Sequence, residues 1–464
     1  MTQALDERQE EFSAEVVEFL ARNPDIKRVE ALYNGFHGGY RGKLLPVAML
    51  SQLSGHPLRF PLSTVALDVW NEDVPSLGLA VERGDPDALG VPVPGSLRRV
   101  PWGGQPTAQF SFTLFDLHTK QASELEPRHV LERVVDSWKK AGLTPVAATE
   151  LEFHLVDRQL SASGHPQTPV PPGEDERLAD SQVYDIEVLE AFDPIIDDIL
   201  QASELQNIPA DTVLAEYGPG QFEINLKHVA DALLAADQCL CLKSTVKAVA
   251  RKHGYRAVFM AKPYGAHPGN GMHVHASVLD ADGAALFASQ DDAAPNPSLR
   301  YAMGGLLNSM ADFQLAFAPH SNSYRRLQRG SYAPVTPCWG LDTRNAAIRV
   351  PETRGAGARF EHRVAGADAN PYLVLAAILA GAIDGLRHES DPGQPIATLE
   401  DGDALPGIES DWGKAIATFE SSSKVAEWFG RAFQSTYAES ARAELHQLAN
   451  TVTDAEIRAY LNSV

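Results

Sequence analysis

The sequence predicts an α+β fold, because stretches that alternate polar and apolar residues with a period of two are interleaved with stretches of helical spacing. Hydrophobic residues make up 44% of the 464, enough to fill a large core. The clearest strand is Ala147 to Val156, which places Leu151, Phe153 and Leu155 on one face and Glu150, Glu152 and His154 on the other. Two carboxylates on one strand face sit ~7 Å apart from the rise per residue, so a cationic group is expected between them.

In chain order, Phe12, Val16, Phe19 and Leu20 follow helical spacing, and Asn23-Pro24 ends that helix. Arg28 to Pro46 alternates around Asn34-Gly35 and Gly38-Gly39, which predicts paired strands. Leu62 to Asp73 ends with acids around Trp70, read as a packing residue. Gly84 to Gln105 predicts irregular strands leading to a domain edge near residue 115. Pro127 to Ala141 is a helix with Pro at its start, Gly142 at its stop, and Val130, Leu131, Val134, Val135 and Trp138 on one face. Leu160 to Asp180 is a Pro-rich polar loop. Helical stretches at Ile186 to Gln206 and Val229 to His253 bracket a turn between Glu216 and Glu223. Pro371 opens an apolar helix, Ser390 to Asp411 reads as a linker, and the remainder to Val464 is helical. There are no internal repeats.

The formal charge of −22 argues against nucleic acid or an anionic membrane as partner. Cys239, Cys241 and Cys338 form no C-x-x-C and no metal-ligand spacing, so they read as reduced packing residues. Met1 to Glu11 is polar and acidic, unlike a signal peptide, and the longest apolar run, Tyr372 to Ile383, falls short of the ~20 residues that span a bilayer. A cytoplasmic protein is expected.

The strand pattern recurs with chemistry on it. His273, His275 and Ser277 share one face of Gly271 to Val278, and Arg359, Glu361 and Arg363 share one face of Arg359 to Val364. Five carboxylates with a histidine, beside a separate set of arginines, describe hard divalent cations facing a phosphorylated ligand. The chain has no G-x-x-x-x-G-K-[ST] phosphate loop.

Several motifs occur in one order along nearly the whole chain: E-L-E-F at Glu150, E-x6-E at Glu216, G-M-H-V-H at Gly271, S-Y-R-R-L at Ser323, A-A-I-R-V-P at Ala346, and E-H-R at Glu361 with A-N-P-Y behind it. Together they resemble the glutamine synthetase superfamily. A-K-P-Y, C-W-G-L-D-T-R and E-H-R-V-A-G-A-D-A-N-P-Y read like its γ-glutamylpolyamine (γ-glutamylputrescine) synthetase branch. The resemblance implies an N-terminal β-grasp-like domain at 1–115 and a larger catalytic domain at 116–464 with a curved, mainly antiparallel sheet. It implies two sites for Mg²⁺ or Mn²⁺, one held by Glu152, Glu216 and Glu223 and the other by Glu150, His273 and Glu361. ATP is the implied co-substrate, with Arg344, Arg349 and Arg359 on its phosphates and His275 and Ser277 near the nucleotide. Arg326 matches the ligand of glutamate's α-carboxylate, and Arg363 that of the transferring group or γ-carboxylate. Gly269 and Tyr332 border the substrate, and Asp68 matches the acid that receives the amine, with Trp70 as a cation–π alternative to its packing role. The family makes γ-glutamyl phosphate from ATP and glutamate, then lets an amine displace phosphate; it assembles as two stacked hexameric rings, which would place Asp68 across a subunit interface.

This chain departs from the ammonia-using pattern G-Y-E-A-P, whose glutamate helps remove the ammonium proton, since Gly330-Ser331-Tyr332-Ala333-Pro334 puts a tyrosine there. Pro268 replaces a glutamate-binding asparagine, Ala356 replaces a basic residue, and Gly402 to Pro406 lacks the adenylylation tyrosine. The expected acceptor is therefore putrescine or another polyamine, for polyamine catabolism. The alternatives are a monoamine such as ethanolamine, ammonia, or a catalytically inactive scaffold.

Overall fold

The computed structural model describes residues 2–53, 56–289, 294–398, 405 and 407–464. Of the segment expected to lack the adenylylation tyrosine, all but Leu405 lies outside the described residues. Helix α1 (Thr2–Arg22) packs on a mixed sheet of β1 (Arg28–Asn34), β2 (Tyr40–Pro46), β3 (Leu58–Pro61), β4 (Asp87–Pro92), β5 (Arg98–Val100) and β6 (Thr107–Asp116). Its order is β2-β1-β6-β4-β3, with β5 also on β6, and only the β1–β6 pair is parallel. The hairpin expected at Arg28 to Pro46 is β1–β2. Leu62 to Asp73 forms no strand or α-helix: a 3-10 turn at Leu62–Ala66 leads to a loop in which the Asp68 Oδ1 accepts from the N–H groups of Trp70 and Glu72, both at 2.9 Å. Trp70 is 39% exposed, which corrects its reading as a packing residue: the loop carries it away from the core.

The second sheet contains β7 (Thr144–Asp157), β8 (Ala210–Ala215), β9 (Gln221–Leu226), β10 (Tyr255–Val258), β11 (Met272–Leu279), β12 (Trp339–Leu341), β13 (Ile348–Glu352) and β14 (Arg359–His362). Its order is β12-β13-β14-β11-β7-β9-β8, with β10 also on β7; apart from β12–β13 it is antiparallel, and it curls into a half-barrel. Along β11, Met272, Val274, Ala276 and Val278 are buried in the core, so His273 and His275 turn to the opposite face as the alternation requires.

Helices cover the apolar face: α2 (Pro127–Lys140), α3 (Ile186–Ala191), α4 (Asp193–Leu205), α5 (Ala232–Lys252), α6 (Pro297–Ser309), the one-turn α7 (Gln314–Phe317) and α8 (Ser323–Arg326), and α9 (Pro371–His388). The single stretch expected at Ile186 to Gln206 is split after Ala191 because Pro194, which lacks an N–H, starts a second helix. Helix α9 is buried along nearly its whole length and packs on α2, α5 and α6. Its N-cap Asn370 accepts from the Tyr372 N–H, while its amide nitrogen donates to Asn34 Oδ1 at 3.1 Å, Gly35 O at 3.0 Å and Phe36 O at 3.2 Å. One side chain thus starts the central helix and ties the β1–β2 turn to it. On the far side of that turn, Phe36 meets Phe433 and Tyr437 edge-on. Those two belong to α12 (Arg431–Ala449), which among the described residues packs at the C-terminal end with α10 (Trp412–Ser421) and α11 (Ser423–Phe429), ahead of α13 (Asp454–Tyr460). Cys239, Cys241 and Cys338 are free and buried. Among the described residues no helix is long and apolar enough to cross a membrane.

The α6–α9 contact depends on absent side chains. A Cβ on Gly305 would come within 2.1 Å of the Gly381 carbonyl oxygen, and one on Gly385 within 2.1 Å of the Tyr301 carbonyl oxygen. Gly385→Ala is therefore expected to destabilise the protein by about 1–3 kcal/mol through overpacking, read as a lower urea midpoint; Gly393→Ala, whose Cβ would meet nothing within 4 Å but whose φ is positive, is a control for backbone strain alone.

Candidate active site

Strand register assembles the site. Opposite partners are Glu150 with His273, Glu152 with Glu223, and His275 and Arg349 with Glu361. Because these pairs alternate with buried apolar pairs such as Leu151 with Met272, seven of the expected residues converge on the face away from the helices.

The group that stands between Glu150 and Glu152 is the imidazole of His273. His273 Nδ1 lies 3.2 Å from Glu150 Oε2 and 3.8 Å from Glu361 Oε1, and its Nε2 lies 3.7 Å from Glu152 Oε1. His275 Nε2 is 2.8 Å from the other oxygen of Glu150, and Arg359 Nε donates to His275 Nδ1 at 3.1 Å. Glu152 Oε2 accepts from the Gly271 N–H at 2.8 Å and from Gln221 Nε2 at 3.1 Å. Gly271 is required here, since a Cβ would sit 2.8 Å from the Arg326 guanidinium, 2.9 Å from His273 Nε2 and 3.1 Å from Glu152 Oε1.

Among the described residues, two groups at this site have ligand atoms within 4.8 Å of one another: Glu150, His273 and Glu361, and Glu152, Glu223 and His273. The first is the expected set. The second replaces Glu216 by the shared His273, because Glu216 stands on the turn before β9 while Glu223 sits in the sheet opposite Glu152. Glu216 still borders the same cavity, of about 570 Å³.

The carboxylates of the two groups differ in their electrostatics. Burial and then the charge of Glu152 push Glu216 from its ordinary 4.5 to about 7, and burial with the charges of Glu150 and Glu152 pushes Glu223 well up. Burial opposes ionisation of Glu150 and Glu361 too, but hydrogen bonds to His273 and His275 hold Glu150 well below its ordinary value, and Arg363 and the two histidines hold Glu361 at about 2. The Glu152–Glu216–Glu223 side therefore lacks positive charge, and its carboxylate oxygens with one imidazole suit Mg²⁺ or Mn²⁺.

The arginines line the opposite parts of the cavity. Arg349 donates to Glu361 at 2.9 Å and to Asp342, Arg363 is paired with Glu361, and Arg344 donates to the Tyr184 hydroxyl at 3.3 Å. The Nε of Arg363 is buried and has no hydrogen-bond partner, and the Arg363 side chain borders the cavity. Arg326 is buried and anchored to the Val364 carbonyl at 2.9 Å. Gly269 and Tyr332 border the cavity with Pro268. His275, Ser277 and Arg359 lie beyond its lining, further along β11 and β14. Asp68 is not brought to this site within one chain; it borders a separate cavity of about 350 Å³ with Arg41 and Lys247.

Sequence reasoning missed Gln221, Asn270, Tyr217, Tyr184 and Asp342. Gln221 links Glu152 to the Gly269 carbonyl at 2.9 Å, and the buried Asn270 Oδ1 lies 2.8 Å from His154 Nδ1. The flanking motifs E-Y-G-P-G-Q and G-N-G-M-H were the available signals.

A family model described as "Glutamine synthetase, catalytic domain" matches residues 124–460. The chain belongs to the glutamine synthetase family. Like its relatives it is an ATP-dependent ligase by its catalytic domain. It is 38% identical over 464 residues to the gamma-glutamylputrescine synthetase PuuA of Escherichia coli (strain K12), covering 99% of this chain and 97% of that one. It is 29% identical over 388 residues to a glutamate–isopropylamine ligase of a Pseudomonas species, covering 82% and 83%. Among solved structures, a GmaS/ADP complex aligns with a TM-score of 0.83 at 26% identity, over 96% of this chain and 98% of that one. The curled sheet is the glutamine-synthetase-type fold.

The raised carboxylates predict a pH dependence. Folded Glu216 holds its proton more tightly than the unfolded chain does, so metal-free protein is expected to lose stability as pH rises from about 4.5 to about 7. Saturating Mn²⁺ should remove that loss and release protons at pH 6, read by an indicator dye. Metal binding without proton release would mean that Glu216 and Glu223 are not ligands.

Proposed function

We propose that this glutamine synthetase family member joins the γ-carboxyl of L-glutamate to a primary amine through γ-glutamyl phosphate, with putrescine or another polyamine as acceptor. The observation that carries the choice of amine is Tyr332, which borders the cavity where ammonia-using relatives carry the flap glutamate. The 38% identity to a gamma-glutamylputrescine synthetase over the full length supports it.

Glu150, His273 and Glu361 would hold one Mg²⁺ or Mn²⁺, and Glu152, Glu223 and Glu216 the second, with His273 shared between them. When bound, these ions neutralise phosphate and carboxylate oxygens during transfer. Arg344, Arg349 and Arg359 orient the ATP phosphates beside His275 and Ser277, and Arg363, which borders the cavity, takes an oxygen of the transferring group. Arg326 holds the α-carboxylate of glutamate, with Gly269 keeping the wall low: a Cβ there would meet the Ala261 carbonyl at 2.1 Å and the Arg326 stem at 3.1 Å.

An alkyl amine with a pKa of ~10.4 arrives protonated and must give up a proton before attack. Asp68 is the acid assigned to this step. Its separate cavity in one chain fits a two-ring dodecamer in which residues 1–115 of one subunit complete the site built by 116–464 of the next. A cytoplasmic location belongs to the same reading.

The test is phosphate release with ATP, Mg²⁺ and glutamate, comparing putrescine, spermidine, isopropylamine and ammonium; turnover mainly with ammonium overturns the polyamine reading, and turnover mainly with isopropylamine replaces it by a monoamine ligase. Two variants test the roles. Glu152→Ala is expected to abolish ligation while the oligomer, sized by light scattering, stays intact. Asp68→Asn keeps an oxygen for the Trp70 and Glu72 N–H groups and is expected to lower kcat/KM for the amine about 100-fold with little change in the KM for glutamate; equal losses for both substrates would remove its assigned role.

A further inference from the structure

The β8–β9 turn and the loop at 330–334 meet at the mouth of the site. Tyr217 and Tyr332 stack there, with ring centroids 5.0 Å apart and planes inclined by 25°, and their hydroxyl oxygens lie 3.1 Å apart. Both border the same cavity as the carboxylates, and Tyr332 is 56% exposed. Phosphoryl transfer uses neither ring. The loop position of Tyr332 and the turn position of Tyr217, next to Glu216, bring together two hydroxyls that need only one proton between them. Lone pairs remain free on both oxygens, and both side chains border the cavity.

We propose that Tyr217 and Tyr332 together form the subsite for the far ammonium of a diamine acceptor, which makes Tyr217 a specificity-determining residue. This rests on the polyamine reading above. A diamine carries two nitrogens with opposite needs, since the attacking one must become neutral while the other stays charged at neutral pH. The carboxylates deeper in the cavity belong to the cation groups and to ion pairs with His273, His275, Arg349 and Arg363. A second ammonium placed among them would compete for the same oxygens. At the mouth it meets neutral acceptors and aromatic faces, which attract a cation while leaving part of its hydration in place. Ammonium and monoamines have no second charge to place there, so the pair favours diamines without having to exclude smaller acceptors by size.

The test compares putrescine with butylamine, which has the same carbon chain and no second nitrogen, using the full chain with ATP, Mg²⁺ and glutamate. Tyr217→Phe and Tyr332→Phe keep the stacked rings and remove one hydroxyl each, and Tyr217→Leu with Tyr332→Leu removes both rings. The putrescine-to-butylamine ratio of kcat/KM is expected to fall about tenfold in the double leucine variant and by a smaller factor in each phenylalanine variant, mainly through the KM for putrescine. Equal losses for both amines, or an unchanged ratio, overturn the subsite and leave the polyamine reading standing. A wild-type enzyme that turns over butylamine or ammonium but not putrescine overturns both.

Discussion

The active face depends on one constraint: carboxylates on adjacent antiparallel strands must lie side by side, and their mutual repulsion must be met by something that is not water. Glu150, Glu152, Glu223 and Glu361 sit on β7, β9 and β14, and His273 on β11 reaches three of them. One imidazole cannot neutralise four acids. The burial that opposes ionisation of Glu223 is imposed by the same sheet that holds the acidic row in place, so a cation bound there would relieve the repulsion. Filling that place with lysine would stabilise the apoprotein and remove the site.

The opposite face makes this affordable in geometry. Each residue of the acidic row alternates with one buried in the core, so a slip of one residue would send the carboxylates into the helices and the apolar residues into the cavity. Helix α9 and the helices packed on it lock that register. Asn370 extends the lock to the first sheet through three hydrogen bonds to the β1–β2 turn, and the cavity holding Asp68 opens beside the same turn.

Period-two alternation made the acidic strand and the histidine strand legible in the sequence, because the side-chain period belongs to the strand itself. Which strand pairs with which, and in what register, is set by long-range packing that no local pattern encodes. For that reason the sequence assigns His273 to one ligand set while its ring lies within reach of both groups, and it assigns Glu216 to the set of Glu152 and Glu223 while the turn before β9 carries Glu216 to the border of the same cavity. Gln221 and Asn270 were missed because amides carry no signature until a carboxylate or an imidazole is seen against them. Trp70 was read as packing since a large aromatic in an apolar run usually is, but the Asp68 loop turns it outward.

The division between sheet and loops also separates two kinds of requirement. Cation and phosphate groups tolerate little displacement, and their ligands are on strands or beside them. The tyrosines that border the cavity come instead from connections: Tyr184 ends the long loop before α3, Tyr217 follows β8, and Tyr332 lies in the loop after α8. Loops can change length and composition without moving the sheet. A family that keeps one phosphoryl-transfer centre and changes its amine is expected to vary at these tyrosines before it varies at Glu150 or His273. The Tyr217–Tyr332 stack couples two such loops, so that replacing either residue alone leaves the other ring without its partner and alters acceptor choice from both sides of the mouth.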